Sequence, residues 1–166
     1  CESRTLPGIY IKPPGLPSRG FFLDSAMNLQ KIGHLVSTVA DVERSCRFYC
    51  DVMGMRRIMF GENRTALDFG EYKINLHLIG WDYYLKAENP SAGSADLCFI
   101  VGEDVPTQII SLQGLGVEVI EGPIERTGAG GDLLSIYVRG PDGNLIELAN
   151  QTSESGKMAQ PELDKA

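Results

Sequence analysis

Two stretches of the chain repeat the same order of hydrophobic and polar positions. In the first stretch, residues 31–39 alternate in polarity, which predicts a strand that places His34 on the same face as Val36 and Thr38. Asp41 is a favourable N-cap, and apolar side chains then recur at helical spacing up to Gly54. Further strands are predicted at 55–60, 64–69 and 72–79. The first stretch therefore predicts a βαβββ unit.

The second stretch has the same predicted order of elements. A segment rich in turn residues at 82–95 separates it from the first stretch. A strand is predicted at 96–101 and a helix at about 104–114. Strands then follow at 117–121, 133–138 and 145–149, with a hairpin turn at 140–144 between the last two. The chain therefore predicts two βαβββ modules, at about 30–81 and 95–150.

Matching the two modules places potential metal ligands at equivalent positions. His34 falls on Asp96, 62 residues later, at the start of each module's first strand. His77 falls on Glu147, since each lies seven residues after a glycine that leads into a turn. Repeats of this kind are typical of duplicated supersecondary units. If the two modules pair about a pseudo-two-fold axis, the chain's two histidines and two carboxylates come together.

These four side chains are chemically suited to a divalent metal ion. Two histidines and one carboxylate form a known ligand set for first-row metals, and a second carboxylate is a fourth ligand or a mobile base. Glu147 is the most informative of the four, because its neighbours Ile146 and Leu148 predict a buried strand. An ionised carboxylate in such a strand is costly unless it is paired or bound to a metal.

Each of these residues also has a purely structural interpretation. Taken alone, His34 and His77 are compatible with hydrogen-bonded core histidines, and Glu147 with a salt bridge at the mouth of a barrel. Asp96 is equally compatible with a solvated residue at the start of a strand. Cys98 is expected to be a small core hydrophobe within the same strand.

Three further residues are candidates for contact with a substrate. Tyr137 shares a strand face with Ser135 and is predicted to donate to a substrate oxygen, the alternative being a core aromatic. Arg126 lies in a glycine-rich segment at 121–132, which is interpreted as a lid with an anion-binding arginine or as a flexible loop. Asn75 shares the face of His77 and is assigned to substrate binding.

Length and composition limit the classes of function. The 166 residues, 43% of them hydrophobic, predict one domain at 30–150, an extended N-terminal segment at 1–29 and a polar tail at 151–166. A net charge of −7 argues against a nucleic-acid partner, and no apolar run reaches the ~18 residues of a membrane span. Cys46 and Cys50 are poorly spaced for a disulfide, which predicts reduced thiols and a cytoplasmic protein.

The quoted positions resemble the vicinal oxygen chelate superfamily of glyoxalases, bleomycin-resistance proteins and dioxygenases. The resemblance covers about 30–150 and rests on GHLVSTVADVERSCRFYCDVMGM, FGEYKINLH and EGPIERTGAGGDLLSIYVRGPDGNLIEL. Within the superfamily, the sequence is most similar to the glyoxalase-domain-containing protein 5 type and to virulence-associated bacterial members. The resemblance implies an α+β fold in which paired βαβββ modules form a curved, incomplete barrel around one metal ion.

The resemblance also implies a function. It places first-strand and last-strand ligands on His34 and Glu147, with a further ligand at or near His77. Asp96 stands where the family usually has a histidine. The implied activity is a lyase or isomerase acting on a 2-oxoaldehyde or its thiol adduct, with Ni, Co, Mn, Zn or Fe as the metal. An iron(II) extradiol-type dioxygenase and a non-catalytic ligand-binding or resistance protein are the alternatives. Because modules of this fold pair within a chain or across a dimer, a homodimer is expected.

Overall fold

The computed structural model describes residues 27–152. The first βαβββ unit consists of β1 (Leu35–Val39), α1 (Val42–Asp51), β2 (Arg56–Phe60), β3 (Arg64–Phe69) and β4 (Tyr72–Leu78). The second unit consists of β5 (Asp96–Ile100), α2 (Val105–Gly114), β6 (Glu121–Gly128), β7 (Gly131–Arg139) and β8 (Leu145–Gln151). Most of the predicted N-terminal segment and nearly all of the polar tail lie outside the described residues.

Each unit forms one four-stranded mixed sheet. The strand order is β1-β4-β3-β2 in the first sheet and β5-β8-β7-β6 in the second. In both sheets the first strand pairs in parallel with the last, and the other neighbours are antiparallel. The two sheets are not closed into a barrel. The predicted α+β fold with two βαβββ units is thus confirmed.

The helices begin at the residues that the sequence favours as caps. The Asp41 carboxylate accepts a hydrogen bond from the Arg44 backbone N–H at 2.9 Å, and Asp104 accepts one from Thr107 at the same distance. Each carboxylate satisfies an N–H group that has no partner within the helix. Gly54 follows α1 with a φ of +68°, a conformation that glycine adopts at little cost.

One hydrophobic core contains residues from both units. The helix-facing sides of the two sheets contribute most of its side chains, including Val39, Leu67, Ile74, Leu76, Ile136, Val138, Ile146 and Leu148. Helix α1 adds Tyr49, and helix α2 adds Leu112. Because strand side chains alternate between faces, this arrangement leaves the opposite face of each sheet without a helix. These two surfaces are called the helix-free faces below.

The sequence-based prediction was wrong between 117 and 132. A strand was expected at 117–121 and a glycine-rich lid or flexible loop at 121–132, but Glu121–Gly128 forms strand β6 and pairs along β7. The glycines mark a shift in register after Glu121 and the tight turn before Gly131, rather than a flexible lid. A Cβ atom at Gly122 would lie 2.4 Å from the Ser135 carbonyl oxygen, so a glycine is required there.

A polar cluster connects the β7–β8 hairpin to the start of α1. The Asp142 carboxylate, only 1% exposed, accepts hydrogen bonds from the Arg44 guanidinium at 2.6 Å, the Ala40 backbone N–H at 3.2 Å and the Ser45 hydroxyl at 3.3 Å. Asn144, in the same hairpin, accepts a hydrogen bond from the Ala95 N–H at 2.9 Å. The Asp142 contacts join the two units, and the cluster around Asp142 is called the hairpin clasp.

Neither helix in the described part of the chain is long and apolar enough to span a membrane.

Candidate functional site

The helix-free face of the first sheet contains His77. His77 lies opposite Thr38 and Asn75 opposite Val36 in the parallel β1–β4 pair. His34 lies just before β1 begins, outside the strands, so its expected position on the same face stays a prediction. The side chain of His34 is exposed, so the interpretation of this residue as a buried core histidine is wrong.

His77 is partly buried and stacks against an aromatic ring. The ring of Tyr83 lies parallel to the imidazole, with centroids 3.7 Å apart and planes 7° apart. Burial, followed by the positive charge of Arg64, lowers the pKa of His77 below its usual value. A lowered pKa favours the neutral imidazole, which is the form that binds metal ions.

Asn75 lies beside His77 on the same face and has an unsatisfied side-chain oxygen. The residue is buried, and its Oδ1 atom has no hydrogen-bond partner among residues 27–152. A buried polar atom without a partner is costly, and such atoms in native structures call for an explanation. The amide oxygen of Asn75 is therefore a buried acceptor that no described residue satisfies.

The helix-free face of the second sheet contains Glu147 at its centre. Cys98, Glu147 and Tyr137 are direct neighbours across β5, β8 and β7. The hydroxyl of Ser135, itself fully buried, donates to Glu147 Oε1 at 2.5 Å. Glu147 takes part in none of the ion pairs among residues 27–152. A charge-assisted hydrogen bond of this kind fixes the orientation of the carboxylate.

Cys98 is exposed on this face, so the expectation that it is a core hydrophobe is wrong. Desolvation of the thiol, and then the negative charge of Glu147, raise the pKa of Cys98 to about 11. The raised pKa favours the protonated thiol, which is a weak nucleophile.

Arg126 and Tyr137 interact on the same side of the sheet. The Nε atom of Arg126 donates to the Tyr137 hydroxyl at 3.0 Å, and the guanidinium carbon lies 5.6 Å from the centre of the tyrosine ring. None of the ion pairs in the described part of the chain includes Arg126. Its positive charge is thus held next to Tyr137 and is available to an anion.

The four predicted metal ligands are divided between the two βαβββ units. His77 lies on the first sheet and His34 directly before its first strand, whereas Asp96 and Glu147 lie on the second sheet. Across residues 27–152 of a single chain, no three His, Cys, Asp or Glu side chains form a metal-binding group. Neutral imidazoles, carboxylates and the free oxygen of Asn75 nevertheless suit a divalent first-row metal in kind. Each sheet therefore offers one half of a suitable donor set.

Residues 31–148 match the family model described as the Glyoxalase/Bleomycin resistance protein/Dioxygenase superfamily. The chain belongs to this superfamily. It is 46% identical over 123 residues to the virulence protein STM3117 of Salmonella typhimurium. The aligned residues are 74% of this chain and 85% of that protein. It is 45% identical over 124 residues to the glyoxalase domain-containing protein RDO1 of Mycosarcoma maydis, covering 75% of this chain and 70% of the relative.

Solved structures of this superfamily agree with the fold. An integron cassette protein of V. cholerae superposes with a TM-score of 0.74 at 45% identity, over 76% of this chain and 98% of the other. A more distant relative is the lactoylglutathione lyase of Haemophilus influenzae, 28% identical over 141 residues, which span 76% of this chain and 97% of the relative. The resemblance to virulence-associated and glyoxalase-domain members of the superfamily is thus confirmed.

Two residues of the site region, Ser135 and Tyr83, and one of the hairpin clasp, Asp142, were not identified from the sequence. From the sequence, Ser135 was noted only because it shares a strand face with Tyr137. The alternation of side chains along β7 also places Ser135 next to β8, which contains Glu147. Tyr83 lies in a segment interpreted as a linker, and no periodicity points to its stack on His77. Asp142 fits a turn by its type, and its burial follows only from contacts with residues almost 100 positions earlier in the chain.

Proposed function

We propose that this superfamily member is a metal-dependent lyase or isomerase of the glyoxalase type. Its substrate would be a small molecule that presents two adjacent oxygens, such as a 2-oxoaldehyde or its thiol adduct. The observation that carries the proposal is the position of His77 on one helix-free face and of Asp96 and Glu147 on the other, with His34 directly before the first strand of the first sheet. The unsatisfied oxygen of Asn75 supports a ligand on the first face.

His34, His77 and Glu147 would hold one divalent ion, with Asp96 as a fourth ligand or a mobile base. Such an ion, whether Ni, Co, Mn, Zn or Fe, supplies Lewis acidity that polarises substrate oxygens. Because no three of these residues meet within the described part of one chain, we propose that two copies pair. The first sheet of one copy then faces the second sheet of the other, so that a homodimer contains two sites.

The chain's own residues would move the proton and bind the substrate. Ser135 holds the carboxylate of Glu147, and either Glu147 or Asp96 would take a proton from the substrate carbon and return it to the neighbouring carbon. Tyr137 would donate its hydroxyl proton to a substrate oxygen as negative charge develops there. Arg126 would bind an anionic group of the substrate, and Asn75 a polar group on the opposite side.

A second candidate is an iron(II) extradiol-type dioxygenase. It is favoured by His34, His77 and Glu147, which form the two-histidine, one-carboxylate set that leaves coordination positions open for oxygen and substrate. A third candidate is a ligand-binding protein without catalysis, which is favoured by a cavity of about 390 Å³ next to His77.

We further propose a cytoplasmic location, since Cys46, Cys50 and Cys98 are free thiols.

Turnover of 2-oxoaldehydes tests the first candidate. Metal-loaded protein is expected to convert methylglyoxal to lactate, or its glutathione adduct to the thioester, as followed by proton NMR in heavy water. Glu147→Gln should lower the rate by ~10²–10⁴-fold, because it removes the proposed proton carrier and metal ligand. Glu118→Gln, which removes an exposed carboxylate, should not change the rate.

The same preparation separates the other two candidates. Oxygen uptake with a catechol, dependent on iron(II), would contradict the lyase proposal and favour the dioxygenase. Full metal occupancy without turnover of either substrate class would contradict both enzymatic proposals and favour a binding protein.

A further inference from the structure

The segment between the two units folds back over the first helix-free face. Residues from 79 to 90 form one wall of the cavity of about 390 Å³, whose other wall includes Val36, Thr38 and His77. Trp81 and Tyr83 contribute aromatic side chains to this wall. The segment is therefore part of the surroundings of a proposed metal ligand, and it does more than connect the modules.

Tyr83 is held in place from two directions. Its ring stacks on the imidazole of His77, and its hydroxyl accepts a hydrogen bond from the backbone N–H of Leu78 at 3.2 Å. Leu78 directly follows His77 on β4, so both contacts attach the tyrosine to the same strand segment. A parallel stack covers one face of the imidazole ring and leaves the nitrogens at its edge accessible.

No hydrogen bond in the described part of the chain involves an imidazole nitrogen of His77. Metal-binding histidines usually donate the N–H of their second nitrogen to a carboxylate or a carbonyl, and this contact sets the plane in which the ligating nitrogen points. At His77 the aromatic contact of the ring is the parallel stack on Tyr83, and a ring packed face to face on another cannot turn without breaking that contact. The lone pair of the ligating nitrogen lies in the ring plane, so a fixed plane also fixes its direction.

We propose that Tyr83 is a positioning residue that holds the imidazole of His77 in the plane required for metal binding. The proposal rests on the proposed function of His77 as a metal ligand. It gives the segment at 79–90 a role in the site and predicts that metal affinity depends on an aromatic ring at position 83. The hydroxyl group has a smaller role, because the stack involves the ring alone.

Metal affinity of the full chain tests this role. Competition with a chromophoric chelator gives the Kd for Zn²⁺, with unfolding midpoints recorded in parallel. Tyr83→Leu is expected to weaken Zn²⁺ binding about tenfold. This is near the lower end of the loss in metal affinity that follows removal of a group orienting a metal ligand. Tyr83→Phe, which keeps the ring, should change the Kd by less than about threefold. Tyr84→Leu is the matched control, since the neighbouring Tyr84 is fully exposed and should have no effect.

Proton NMR of the metal-free protein provides an independent readout of the stack. The chain has only two histidines, so His34→Gln identifies the imidazole signals of His77. The ring current of Tyr83 should move these signals upfield in the wild type and in Tyr83→Phe, but not in Tyr83→Leu. A wild-type His77 signal at the ordinary position would show that the stack is absent and would overturn the proposal even if Tyr83→Leu does not fold.

His77→Ala separates failure of this inference from failure of the proposed function. If His77→Ala loses Zn²⁺ while Tyr83→Leu binds it as tightly as the wild type, the histidine is a ligand and the positioning role is wrong. If His77→Ala keeps the wild-type Kd, or if the wild type binds no metal, His77 is not a ligand and both proposals fail. Weaker binding by Tyr83→Leu, with Tyr83→Phe and Tyr84→Leu near the wild type, supports both.

Discussion

Replacement of Asp142 by alanine is expected to lower the free energy of unfolding by roughly 2–3 kcal/mol. The carboxylate is almost fully buried and accepts hydrogen bonds from Arg44, Ser45 and the backbone of Ala40. Its loss leaves the buried hydroxyl of Ser45 without this acceptor. This expected loss of stability is smaller than the loss on breaking a fully buried ion pair, because Arg44 is 47% exposed and solvent screens its charge.

Urea denaturation followed by circular dichroism measures this effect. Glu43→Ala is the matched control, because it removes a bidentate ion pair with Arg57 in which Glu43 is 61% exposed. Exposed pairs contribute about 0.2–1 kcal/mol, so the control should be much milder. Equal losses of stability in the two variants would contradict the interpretation of the hairpin clasp as the main polar connection between the units.

Loss of metal binding in His34→Ala and in Glu147→Gln is the second large effect that we expect. Each variant removes one proposed ligand from a different sheet, so metal content should fall from about one ion per chain to nearly none. Elemental mass spectrometry after dialysis against Zn²⁺ and desalting provides the measurement. Unchanged stoichiometry in either variant would show that the residue is not a ligand.

Mixing the two variants tests whether two copies share each site. In a heterodimer, the first sheet of the Glu147→Gln chain and the second sheet of the His34→Ala chain both keep their ligands. Dissociation and reassociation of the mixture should therefore restore about one ion per heterodimer. If every site lies within one chain, mixing restores no binding, and the proposed pairing of copies is wrong.

Much of the fold was predictable because hydrophobic and polar positions recur with different periods in strands and in helices. The alternation at 31–39 and the cap at Asp41 both predict local structure from neighbouring residues. The cap is found as predicted, and the strand is found at Leu35–Val39. Strand β6 was missed because its glycines and Pro123 resemble a loop in composition. Its strand conformation comes from pairing with β7, a tertiary contact that overrides the local preference.

The candidate site was only partly predictable, and for a similar reason. Period-two alternation was sufficient to place Asp96 with Glu147 on one face, whereas His34 lies outside the strand in which it was expected. Alternation along a strand carries no information on how two sheets are arranged, so the separation of the faces was not foreseen. The stack of Tyr83 on His77 likewise depends on how an irregular segment folds back, which no periodic pattern encodes.

The metal content of the wild-type protein tests the central proposal most directly. Protein purified without added metal or chelator, and then dialysed against Ni²⁺, Co²⁺, Mn²⁺, Zn²⁺ or Fe²⁺, is measured by elemental mass spectrometry. We expect about one tightly bound ion per chain, retained after desalting. Protein that contains no metal and takes up none of these ions would contradict the proposed metal site and the enzymatic function that depends on it.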